Sequence, residues 1–143
     1  MDLSTQRGRF RSQRGVYLLR ALGAGAAKKY KFNLYLRGPY SPALASDYYA
    51  IGKDSPAALA APVDYFRPLP RIPAAWGDVI REAYRRGDGF LERMATLHAV
   101  RVYNPPADAT EEQVMALAKE LKPGLKVDYQ EARRFLRRHR LYP

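Results

Sequence analysis

The stretch from Gly89 to about Tyr103 constrains the fold more than any other. Its apolar residues are Phe90, Leu91, Met94, Ala95, Leu97, Val100 and Val102, and they leave only narrow gaps around a helical wheel. A helix that is apolar over most of its circumference has no side to offer to water. It therefore belongs at the centre of a domain, with other elements packed around it. Asp88 stands where it can cap the start of this helix, and Asn104-Pro105-Pro106 ends it, because proline cannot continue a helix.

The rest of the chain reads as the surround. Arg9 to Leu22 forms a helix ended by Gly23, with Gly25 behind it; Gly15 inside it costs about 1 kcal/mol relative to Ala and calls for a close packing partner. Lys31 to Leu36 alternates, with Phe32, Leu34 and Leu36 on one side, which predicts a short half-buried strand. Leu125-Lys126-Val127 is its candidate partner. Gly38-Pro39 breaks the strand, and Ser41-Pro42 opens a helix with Leu44, Tyr48 and Ile51 on one face and Gly52 at its end. Five prolines between 53 and 73 predict a packed connector with one helical turn at 57–61. Ala74 to Arg86 is amphipathic through Trp76, Val79, Ile80 and Ala83, and Gly87 stops it. Thr110 and Gln113 form a capping box for a helix with Val114, Leu117, Ala118 and Leu121 inward, closed by Pro123-Gly124. A last helix runs from Asp128 to His139. The sum is mainly α: a single compact helical domain over 1–143, of about six helices with one short β element and frayed residues 1–8. This element order is compatible with a winged-helix-like arrangement, although no recognition helix stands out.

Charge is the second constraint. The 143 residues carry 25 Lys+Arg against 14 Asp+Glu, a net charge of +11. Residues 1–71 hold 12 basic and 4 acidic groups, whereas residues 72–143 hold 13 and 10. Such a surplus attracts polyanions, although a basic proteome would produce it too. With no Cys and two His, thiolate chemistry and Cys- or His-rich metal sites are excluded, and no cofactor is expected. The longest apolar stretch, Val16 to Ala27, carries Arg20 and falls short of the roughly 20 residues a membrane span needs. The expectation is a cytoplasmic protein without a membrane partner.

Three groups of residues are candidates for binding. On the last helix, Ala132, Phe135, Leu136 and His139 cluster on one side, and Arg133, Arg134, Arg137, Arg138 and Arg140 fill the other, where they could straddle a phosphate backbone. Arg7, Arg9, Arg11 and Arg14 form a second basic cluster. Arg37, Tyr40 and Ser41 mark a strand-to-helix turn whose helix N-terminus suits an anion, although a purely structural turn fits the same residues. That turn lacks the Lys-Ser/Thr of a nucleotide P-loop. Tyr48-Tyr49, among 11 tyrosines, are available to stack on bases. His98 reads as a satisfied core histidine. Asp78 and Glu82, flanked by Arg81, Arg85 and Arg86, read as exposed ion pairs. No nucleophile–base pair stands out, so a non-enzymatic protein is expected.

Three segments carry a family resemblance. Ser12-Gln13-Arg14-Gly15-Val16-Tyr17-Leu18-Leu19 is similar to the opening helix of the YwgA-like family of small prokaryotic proteins. Phe32-Asn33-Leu34-Tyr35-Leu36-Arg37-Gly38-Pro39-Tyr40-Ser41-Pro42, with Leu44-Ala45, resembles that family's segment around GPYS. Leu91-Glu92 with Thr96-Leu97-His98 looks like its later helix. More distantly, the pattern is similar to the Panacea (SocA antitoxin-type) domain. The resemblance implies a small, mainly helical intracellular protein, and on the Panacea side one that neutralises a partner toxin; it implies no catalytic residue. Gly15 departs from the family pattern, which has a larger apolar residue there, and the basic last helix lies outside it.

Two functions follow as expectations. One is a basic binding or regulatory module that engages nucleic acid through an arginine-rich face without strong sequence preference. The other is an antitoxin-like interaction module that holds an acidic partner protein. The first requires arginines gathered into a patch that carboxylates do not neutralise.

Overall fold

A computed structural model of the chain describes residues 2–35, 37–54, 72–103, 108–121 and 129–143. Helix α1 spans Gln6–Ala21 and starts earlier than its apolar pattern, because Thr5 caps it by accepting the Gly8 backbone N–H at 2.9 Å. Residues 2–8 are correspondingly ordered into a turn. Thr5 Oγ1 donates to the Asp2 carbonyl at 2.9 Å, the Asp2 carboxylate accepts the Ser4 backbone N–H at 2.8 Å, and Gly8 is buried. This cap lies upstream of any hydrophobic signal. Gly23, at φ 102°, closes α1, and a 3-10 turn at Gly25–Ala27 follows.

Strand β1 (Asn33–Tyr35) pairs with the segment directly after it. Gly38–Tyr40 forms strand β2, antiparallel, with Tyr35 opposite Gly38 and Leu34 opposite Pro39. Gly-Pro does not break the strand here: Gly38 takes φ 95° to close the hairpin, and Pro39 sits in a two-stranded ribbon where its missing N–H is tolerated. The expected partner residues 125–127 lie outside the described residues, as do the connector over 55–71 with its turn at 57–61, and the closing signals at 104–106 and 123–124.

Helix α2 spans Pro42–Asp54 and runs through Gly52 instead of stopping there. Helix α3 (Ala74–Arg85) ends at Gly87, φ 90°. Helix α4 spans Asp88–Tyr103, and α5 spans Glu111–Leu121 behind the reciprocal Thr110–Gln113 capping pair, whose two bonds measure 2.8 and 3.3 Å. Helix α6 spans Tyr129–Arg138 and is ended by Arg140 in the left-handed region, φ 56°.

The protein is mainly helical, with α4 as the central element. Phe90, Leu91, Met94, Leu97 and Val100 are buried against Leu18 of α1, Val79 and Ala83 of α3, Val114, Met115 and Ala118 of α5, and Ala132, Phe135 and Leu136 of α6. Fully burying each such side chain contributes roughly 1.5–3 kcal/mol. Three expected core positions, Ile51, Val102 and Leu121, are instead exposed. All three fall in the last turn of their helices, where the apolar period outruns the layer that covers it. Leu44, Ala45 and Tyr48 of α2 form a smaller cluster with Val16, Phe32 and Tyr40, which holds the hairpin between α1 and α2. Gly15 has the partner it requires, since a Cβ there would collide with the Tyr84 hydroxyl of α3. Among the described residues no helix is long and apolar enough to cross a membrane.

Candidate anion-binding groove

The arginine arc of α6 is tied up within the molecule. Arg133 and Arg137 both reach Glu111 at the start of α5, where the helix N-terminus also favours a carboxylate. Arg138 and His139 reach Glu82 of α3, which Arg86 shares at 2.7 Å; Arg86 also meets Glu131 at 2.8 Å. Burial would raise the pKa of Glu82, but His139, Arg138 and Arg86 together hold it below the usual carboxylate value. The arc is therefore largely a clamp that joins α6 to α3 and α5. Arg134 and Arg140 are exposed and form no ion pair among the described residues.

The N-terminal cluster splits in two. Arg7 and Arg11 point to Asp88, at 2.8 and 2.6 Å, and join the start of α1 to the start of α4. Asp88 was expected to cap α4, and it sits in that helix's first turn with its carboxylate taken by these two cations. Arg9 and Arg14 face the other way, toward the hairpin. Arg9 donates to the carbonyls of Leu3 and Ser4, at 3.2 and 2.7 Å, with its guanidinium 5.9 Å from the Tyr49 ring. Arg14 is only 2% exposed, so what it gives the groove is its charge and not a contact surface. It donates to the Pro39 and Arg37 carbonyls and holds the hairpin against α1, while its Nε has no hydrogen-bond partner. Burial lowers its pKa from 12.5 to about 10, with the charge of Glu92 acting in the opposite sense, so it stays charged at neutral pH. Among the described residues no carboxylate forms an ion pair with Arg9, Arg14 or Arg37.

The strand-to-helix turn holds the structural cap that Ser41-Pro42 predicts. Ser41 is fully buried: its backbone N–H donates to Gln13 Oε1 at 2.9 Å, its carbonyl accepts from Gln13 Nε2 at 3.0 Å, and its hydroxyl accepts the Leu44 N–H of α2. It is a structural cap, buried away from the surface where an anion would arrive. Arg37 and Tyr40 remain, and they meet Arg9 and Arg14 around one concavity.

That concavity is a groove of about 460 Å³ between α1, the hairpin and α2. From α1 come Gln6, Arg9, Phe10, Gln13 and Arg14, at i, i+3, i+4, i+7 and i+8, which is one helical face. The hairpin contributes Tyr35, Arg37, Gly38 and Tyr40, and α2 contributes Tyr48 and Tyr49. Two guanidiniums share the Phe10 ring, Arg14 at 4.6 Å and Arg37 at 4.9 Å from its centroid. The two tyrosines at the mouth, Tyr35 and Tyr49, are 50% and 57% exposed. Each is backed by another ring: Tyr40 packs edge-on to Tyr35 at 5.5 Å, and Tyr48 packs at 5.0 Å from Tyr49. Burial, together with the neighbouring Tyr48, Tyr49 and Tyr35, raises the Tyr40 pKa, so its phenol stays protonated. The lining holds three arginines, five aromatic rings and two amides, and no Asp or Glu among the described residues.

Grouping arginines by nearness in sequence missed this site, because Arg7 and Arg9 leave α1 on opposite sides. The available signal was the helical stripe 6–9–10–13–14 of amides, arginines and one phenylalanine. His98 is a core histidine: 5% exposed, it pairs through Nδ1 with the Tyr17 hydroxyl at 2.6 Å, and burial lowers its pKa to about 4. Among the described residues no cluster of His, Asp or Glu is placed to hold a metal. Comparison with family models, with curated proteins and with solved structures returned no match to this chain.

Proposed function

We propose that the protein is a non-enzymatic binding module whose tyrosine- and arginine-lined groove engages single-stranded nucleic acid. The observation that carries this reading is the coincidence, in one groove, of three arginines without ion-pair partners among the described residues and two exposed tyrosines held by rings behind them. Single strands are bound where cations follow the phosphates and aromatic rings take the bases. A duplex keeps its base faces stacked and offers only edges, so rings set in a concave groove favour an unpaired strand. Stacking accepts any base, which supports binding without strong sequence preference. Arg134 and Arg140, outside the groove, add to the positive field of a chain with net charge +11, which attracts polyanions. The same reading puts the protein in the cytoplasm, where such strands occur.

Fluorescence anisotropy with a labelled single-stranded oligonucleotide, its duplex and an acidic peptide tests this. The single strand binds tightest, and Tyr49→Ala weakens it by about 1–3 kcal/mol, the worth of one stacked base. Tighter binding of the acidic peptide, or indifference of strand binding to Tyr49→Ala, would transfer the groove to an acidic protein partner.

A further inference from the structure

We infer that the groove is a site for a nucleoside phosphomonoester, met either as the phosphorylated end of a single strand or as a free nucleoside monophosphate. The inference rests on the groove reading above and goes beyond it by naming the group that the groove is built to take. Two like-charged guanidiniums, those of Arg14 and Arg37, flank one Phe10 ring and repel each other, with no carboxylate touching either among the described residues. A buried cation is costly, and the carbonyls of Pro39 and Arg37 together with the charge of Glu92 offset only part of that cost, since the Arg14 pKa is still lowered. An anion lodged beside them removes the imbalance. Arg9, on the same helical face, brings the positive charge at the groove to three.

The depth of the charge selects which phosphate. Arg14 is 2% exposed, below a mouth formed by Tyr35 and Tyr49. An internal phosphodiester has chain leaving on both sides and carries one negative charge, so it is held at the rim. A phosphomonoester has chain on one side only and carries about −1.5 to −2 at pH 7, so it can enter toward three cations while its own base meets the rings at the mouth. The volume of about 460 Å³ lies within the range of small-ligand pockets and suits one nucleotide, not several.

Calorimetric and anisotropy titrations of the whole chain distinguish this inference from the broader reading. The probes are a single-stranded oligonucleotide with a 5′-phosphate, with a 3′-phosphate and with neither, and separately a nucleoside monophosphate, the nucleoside and inorganic phosphate. The expected result is that one phosphorylated end binds at least about tenfold tighter than the unmodified strand, the worth of one charge-assisted hydrogen bond. The monophosphate then competes for the site, and the nucleoside and inorganic phosphate do so about tenfold less well or worse. Arg37→Gln, at an exposed position, abolishes the end preference without moving the thermal midpoint, whereas Arg134→Gln on α6 leaves it intact. Among the described residues no His, Asp or Glu lines the groove, so the monophosphate's own second ionisation sets the pH profile, and affinity rises through about pH 6. Strand binding that ignores end phosphorylation overturns the inference and leaves the broader reading standing. Binding of the monophosphate with no strand binding in any arm overturns the broader reading and keeps the site. Failure of both kinds of probe overturns both.

Discussion

Gly15→Ala carries a sign that the packing of α1 on α3 decides. On an exposed helix this change stabilises by about 1 kcal/mol, because alanine loses less conformational freedom than glycine. Here the new Cβ would land on the Tyr84 hydroxyl, which donates to the Arg11 carbonyl at 2.5 Å, in surroundings buried enough to push the phenol's pKa up to about 12. Displacing a packed ring costs about 1–3 kcal/mol, and leaving a buried hydroxyl without its partner costs about 1–3 kcal/mol more. Even the lower halves of those ranges exceed the propensity gain, so the net expectation is a loss of about 2 kcal/mol, or roughly 6–8 °C in Tm for a domain of this size. In a Tyr84→Phe background the obstacle is gone, and the nearest remaining ring atom lies 3.4 Å from the new Cβ. There Gly15→Ala becomes neutral or stabilising by up to about 1 kcal/mol. Urea denaturation of the four proteins in the double-mutant cycle yields the coupling, expected at about 2–3 kcal/mol. If Gly15→Ala stabilises the wild-type background as much as it does the Tyr84→Phe background, Tyr84 is not seated on Gly15, and the α1 face that lines the groove is not held as described.

Three further outcomes follow from the same structure. Burial lowers the His98 pKa from 6.5 to about 4, so the unfolded chain takes up a proton first; stability present above pH 6.5 falls as the pH drops toward 4, by about 3 kcal/mol in all, and His98→Gln flattens that slope in urea titrations at several pH values. Glu82→Gln removes the shared partner of Arg86, Arg138 and His139 and costs about 1 kcal/mol by thermal melting, since each half-exposed pair contributes only a few tenths; because the folded pKa of Glu82 lies below its unfolded value, the wild-type advantage disappears as the pH falls through that range. Gly38→Ala forces a left-handed residue with a Cβ 3.1 Å from Thr96 Oγ1 and 3.2 Å from the Arg14 guanidinium, which costs about 1–2 kcal/mol in chemical denaturation and weakens the groove with it.

Features that depend on neighbours in sequence were legible before any coordinates. The apolar circumference of α4 put it at the centre, Thr110 and Gln113 announced their capping pair, Ser41 its cap, and Gly15 its close partner. Features that depend on which helices abut were not legible. Glu111 and Glu82 lie far in sequence from the arginines they neutralise, so the α6 arc looked like an open basic face. The alternation over Lys31 to Leu36 showed a strand but not its mate, because a proline in the next segment argued against pairing that a two-stranded ribbon tolerates. Arg14 belonged by composition to a basic cluster, and by the turn of the helix to the underside of the hairpin. The groove combines residues from α1, β1, β2 and α2, and only its α1 stripe had a period that could be seen in advance.

The salt dependence of single-strand affinity, wild type against the Arg9→Gln/Arg37→Gln double variant, tests the groove most directly. For single strands each neutralised phosphate contributes about 0.7 to the slope of log K against log salt. The slope is predicted to shrink by about 0.7 where Arg9 and Arg37 share one phosphate, and by about 1.4 where each takes its own, and to change by less than about 0.35 when Arg137 and Arg138, already matched to Glu111 and Glu82, are replaced by Gln. Equal slopes for wild type and the Arg9/Arg37 variant, with the loss appearing in the α6 variant instead, would contradict the account and return binding to the last helix.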